Sequence, residues 1–110
     1  MNTTVKTLFT NALRNYTGNQ VSGAEYVNSG VLEGYDAFGL LCVLHMAQSH
    51  SPVSFVPSRL EPCEFYYYPR MAMLAWSGLT GDELTDLIEM SDADGCSFAD
   101  IANAIDEEWK

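Results

Sequence analysis

Thr80-Gly81-Asp82-Glu83-Leu84-Thr85-Asp86-Leu87-Ile88 and Ser97-Phe98-Ala99-Asp100-Ile101-Ala102-Asn103-Ala104-Ile105 are the stretches that decide the fold. Each opens on a hydroxyl residue followed three positions later by an acid. That is the form of a capping box, in which the hydroxyl accepts a first-turn N–H at the start of a helix. Leu84, Leu87 and Ile88 supply the buried face of the first helix. Phe98, Ile101, Ala102, Ile105 and Trp109 supply that of the second, at helical spacing. Asp92-Ala93-Asp94-Gly95 separates them with turn formers, so the C-terminal third reads as a helical hairpin.

Toward the N-terminus the same period recurs. Val5, Leu8, Phe9, Ala12, Leu13 and Tyr16 form one apolar stripe, with Thr3 or Thr4 as cap and Gly18 as terminator. Ala37 to Gln48, with Asp36 as its cap, is apolar on most sides and predicts the most buried helix. A short helix through Trp76 follows Pro69 and stops at Gly78. Between the first two helices, Asn19 to Gly34 carries three glycines among polar residues and reads as loop with one weak strand. Val53, Phe55 and the run Phe65-Tyr66-Tyr67-Tyr68 have strand propensity, while Pro57 and Pro62 confine strands there to edges or short pieces. The predicted class is α+β, mostly α. It has about five helices, two long and two in the C-terminal hairpin, and a small β-hairpin or extended pair near residues 53–68. Residues 1–110 form one expected globular domain, long enough to bury a core without staples.

The charge is high and uneven. The chain carries 15 acids against 5 bases, a net of −10. From Met1 to Trp76 there are five acids against four bases; from Ser77 onward ten acids face Lys110 alone. Such a field repels nucleic acid and anionic membrane and attracts basic partners. Neither direct nucleic-acid binding nor membrane insertion is expected, and no apolar run is long enough to span a bilayer. Three widely spaced cysteines and no signal-peptide pattern point to reducing cytosol.

The motifs of catalysis and metal binding fail on inspection. Gly95 follows Asp92 by three positions, so the acids there do not fit a calcium loop, which needs its glycine at position six. Cys42, His45, His50 and Cys63 match no common zinc spacing, and Cys42 sits in apolar surroundings that blunt a thiol nucleophile. A helix-turn-helix reader needs a basic recognition helix after the Ser97 helix, and Asp106-Glu107-Glu108 carries the opposite charge, so no DNA reader is expected. No catalytic residue, metal or cofactor is assigned.

What remains is the acidic surface. Asp82, Asp86 and Glu89 fall at i, i+4 and i+7 on the face away from Leu84, Leu87 and Ile88, and Asp92 and Asp94 extend the row into the turn. Asp100, Asp106, Glu107 and Glu108 are expected on the outer side of the last helix. Like charges at i, i+4 cost a few tenths of a kcal/mol per pair (roughly 0.2–0.5), so stability alone does not select the row. A solvated face for solubility is the plain reading. The functional one is a surface that mimics phosphate spacing and occupies a basic groove on a partner protein. A separate reading takes Tyr66, Tyr68 and Arg70 as a pocket for a small nucleotide, with the aromatics stacking and the guanidinium gripping phosphate.

Three segments also resemble a group of small uncharacterised tailed-phage proteins. They are Leu13-Arg14-Asn15-Tyr16, Tyr35-Asp36-Ala37-Phe38-Gly39-Leu40-Leu41-Cys42, and Ser91-Asp92 through Gly95-Cys96-Ser97-Phe98-Ala99-Asp100-Ile101-Ala102. In that group an "LGVLC" segment follows the first helix, and an "LND…G.SFxxIAxxIE" segment lies near the end. This chain lacks the cysteine pair that often precedes "LGVLC" in the group. The resemblance implies phage origin and attaches no activity. On that origin the leading expectation is an accessory protein that binds and inhibits a host nucleic-acid-binding defence assembly, anti-CRISPR-like, through its acidic face. The alternatives are sequestration of a nucleotide signal and a structural or assembly module. The sequence sets no oligomeric state.

Overall fold

A computed structural model describes residues 1–21, 26–28, 32–49, 56–57, 65–67, 70–93 and 95–109. In chain order the elements are α1 (Thr3–Asn15), β1 (Asn19–Gln20), β2 (Tyr26–Asn28), β3 (Glu33–Tyr35) and α2 (Ala37–Ser49). Then come β4 (Val56–Pro57), β5 (Phe65–Tyr67), α3 (Arg70–Ser77), α4 (Gly81–Ile88), a π-helical turn (Glu89–Ala93) and α5 (Phe98–Glu108). The architecture is α+β and mostly α.

The core forms where the apolar stripes of the helices converge. Phe9 and Leu13 of α1, Leu41 and Cys42 of α2, Met73 of α3, Leu87 of α4, and Ile101 and Ile105 of α5 are all buried in one cluster. α2 packs against α1, α3, α4 and β3, which is why its apolar residues run nearly all the way round. Its start is held twice. The Asp36 carboxylate accepts from Gly39 N–H at 2.6 Å, and Ser91 Oγ accepts from Ala37 N–H at 3.2 Å. Two of the helix's orphan donors are thereby satisfied inside the protein.

The cap of α1 is Asn2, one residue before the expected threonines. Its Oδ1 accepts from Thr4 N–H and Val5 N–H, while Thr7 and Thr10 turn their hydroxyls back onto helix carbonyls. The helix also ends earlier than Gly18, with Tyr16 already extended at φ −68° and ψ 126°. Gly78 does end α3 as expected, in the left-handed region at φ 67°.

Among the described residues, three short strands lie between Asn19 and Tyr35, where the Asn19–Gly34 stretch was expected to hold one weak strand. They belong to a five-stranded sheet of order β1-β3-β2-β5-β4, with β1 parallel to β3 and the other neighbours antiparallel. Gly34, which read as a loop signal, lies inside β3 because only glycine fits: a Cβ there would stand 2.4 Å from the Asn19 carbonyl oxygen. The expected extended pair near residues 53–68 is present as β4 and β5, with Val56 opposite Tyr67 and Pro57 opposite Tyr66. Val53, Phe55 and Pro62 lie outside the described residues.

At the C-terminal end, Thr80 and Glu83 form the complete capping box of α4, and Ser97 accepts from Asp100 N–H to start α5. α4 runs on through the π-helical turn, so the helical path breaks later than the Asp92 position suggested, and Gly95 at φ 65° redirects it. α5 then lies mainly along α1. Arg14 of α1 bonds Asn103 Oδ1 at 3.1 Å and Asp106 Oδ2 at 2.5 Å, and Lys6 Nζ donates to the Trp109 carbonyl. The Gln20 side chain ties β1 to the entry of α5, with Nε2 donating to the Cys96 carbonyl at 2.6 Å and Oε1 accepting from Phe98 N–H at 2.9 Å. Among the described residues no helix is long and apolar enough to cross a membrane.

Candidate functional site

The acids of the C-terminal third divide by what they do. Glu83 faces inward: its Oε1 accepts from Thr80 N–H at 2.9 Å and from the Met1 ammonium at 2.7 Å. Burial pushes its carboxyl up, but bonds to the ammonium and to Thr80 outweigh that and hold it below the usual glutamate value. Asp106 is drawn onto α1 by its ion pair with Arg14. It stays exposed on the outer side of the last helix, where the sequence places it, with its charge paired to Arg14.

Asp82, Asp86, Glu89, Asp100, Glu107 and Glu108 are exposed and make no ion pair among the described residues. On α4 the i, i+4 row Asp82, Asp86 continues to Met90 in the π-helical turn. On α5 the corresponding row is Asp100, Ala104 and Glu108. A groove of about 290 Å³ is lined by Asp86 of α4, Glu89 and Met90 of the π-helical turn, and Ala104 and Glu108 of α5. Three carboxylates thus rim a short apolar floor. Asp92's side chain and Asp94 lie outside the described residues.

This geometry suits a cationic side chain with an aliphatic stem. A lysine or arginine lays its methylenes on apolar surface and keeps its charged head among polar groups. Groove carboxylates contributed by two helices offer that head several acceptors. Among the described residues no three His, Cys, Asp or Glu side chains converge as metal ligands.

No family model matches the chain, and neither a curated protein nor a solved structure matches it significantly. The functional reading therefore rests on the residues themselves.

The pocket expected from Tyr66, Tyr68 and Arg70 is not assembled from described side chains. Tyr66 takes the register position opposite Tyr26 in the sheet, and Arg70 begins α3. Their side chains, and Tyr68 as a whole, lie outside the described residues, as do His50 and Cys63. The sheet does carry another aromatic row that sequence reading missed. Tyr26 stacks on Tyr35 at 5.0 Å, Tyr35 meets Tyr16 edge-on at 6.2 Å, and Tyr16 packs on Phe98 at 5.3 Å. The Tyr26 hydroxyl donates to Glu33 Oε2 at 2.6 Å, and that bond, with desolvation and the carboxylate's charge, pushes the phenol up to about 12. Burial raises Tyr16 and Tyr35 as well. These tyrosines stay neutral at physiological pH and join the sheet to α1 and α5.

Cys42 and His45, the other pair with chemical potential, are both buried on α2. His45 packs its ring 5.2 Å from Trp76, and burial lowers its affinity for protons. A neutral imidazole inside the core fits a packing role.

Proposed function

We propose that the protein is an acidic interaction module that occupies a basic, nucleic-acid-binding surface on another protein. In its specific form it is a phage accessory protein that inhibits a host defence assembly in the anti-CRISPR manner. The observation that carries this reading is the groove between α4 and α5, where Asp86, Glu89 and Glu108 stand exposed around Met90 and Ala104 with no described cation to neutralise them. The described cations are engaged within the fold: Lys6 with the Trp109 carbonyl, Arg14 with Asp106 and the Met1 ammonium with Glu83.

Charge placement supports function over solubility alone. Asp82 and Asp100 sit in first turns, where the helix dipole favours an anion. Glu107 and Glu108 sit in the last turn of α5, where the dipole disfavours one by about 0.3–1 kcal/mol each. A surface tuned only for stability and solubility places its acids at the other end. Rows of carboxylates on adjacent helices match a groove lined with Lys and Arg built for phosphates, and they act through steering and complementarity.

The test is capture of partners from a nuclease-treated bacterial lysate on the immobilised protein, at about 0.1 M and about 1 M salt, between which the screening length falls from ~10 Å to ~3 Å. A nucleic-acid-binding partner is expected at low salt, lost at high salt, displaced by an oligonucleotide, and not captured by an Asp86→Asn/Glu89→Gln/Glu108→Gln variant. Capture that is indifferent to salt and to those substitutions would sink the proposal.

A further inference from the structure

We draw no further inference here: the strongest candidate, the acid-rimmed groove between α4 and α5, belongs to the surface already described and carries no second, independent feature that points to a particular ligand.

Discussion

Neutralising the groove acids should make the protein more stable while removing the proposed binding. Asp86 and Glu89 are like charges at i, i+3 on one helix face, a repulsion of about 0.2–0.5 kcal/mol. Glu108 opposes the dipole at the end of α5 by about 0.3–1 kcal/mol. The triple variant Asp86→Asn/Glu89→Gln/Glu108→Gln should therefore gain about 1 kcal/mol at low ionic strength. For a domain of this size that raises the melting temperature by about 5 °C. The gain should shrink at about 1 M salt, where screening acts within ~3 Å. Asp100→Asn is the internal control. Asp100 lies in the first turn of α5, where its charge is favourable, so its neutralisation should lower stability by about 0.3–1 kcal/mol. Thermal melts of the four proteins (parent, triple, Glu108→Gln and Asp100→Asn) at both salt levels check all of this. If the triple variant melts at or below the parent temperature at low salt, or if Asp100→Asn and Glu108→Gln shift it the same way, the electrostatic reasoning is refuted.

Three further expectations come from the interior. Glu83→Gln keeps the capping geometry but loses the charge that holds the Met1 ammonium, and should cost about 1–3 kcal/mol in urea melts near neutral pH. Because Glu83's carboxyl titrates below its ordinary 4.5 in the folded state, its contribution is complete above 4.5 and lost as pH falls through the lower folded value. The variant should therefore show a flatter stability–pH curve in that acid range. His45 shows the opposite chemistry with the same sign: its folded affinity for protons lies below the ordinary 6.5, so the unfolded chain binds the extra proton. Stability is complete above 6.5 and declines as pH drops from there toward the folded value; His45→Phe should flatten that slope, and an unchanged slope would count against a buried neutral imidazole. Gly34→Ala places a methyl 2.4 Å from the Asn19 carbonyl and should destabilise by more than about 1 kcal/mol, whereas Gly81→Ala, with open space around it, should be near neutral.

The helices were legible because period and caps agree locally. Thr80 with Glu83 and Ser97 with Asp100 mark starts, and the Leu87, Ile101 and Ile105 positions mark the buried faces. The strands were largely hidden. Runs of two or three residues carry no alternation to read, and Gly34 signals a loop in sequence while serving a close strand approach in space. The acidic rows were legible one helix at a time. That α4 and α5 bring Asp86, Glu89 and Glu108 around one groove is a tertiary fact, and so is the loss of Asp106 to Arg14, 92 positions away in the chain. No local pattern separates an acid that pairs with a base on another helix from one that does not.

Beside the tyrosine row, one amide fastens the sheet to the entry of α5. Gln20 presents a nitrogen to the Cys96 carbonyl and an oxygen to the Phe98 N–H, so the two ends of the group are not interchangeable. Glutamate at this position has nearly the same shape yet sets an anion against the Cys96 carbonyl, where a donor is required. Deamidation would produce that change without touching the chain's length or its apolar core. A change of one side-chain group there would loosen the sheet from the start of α5 while leaving the groove acids themselves untouched.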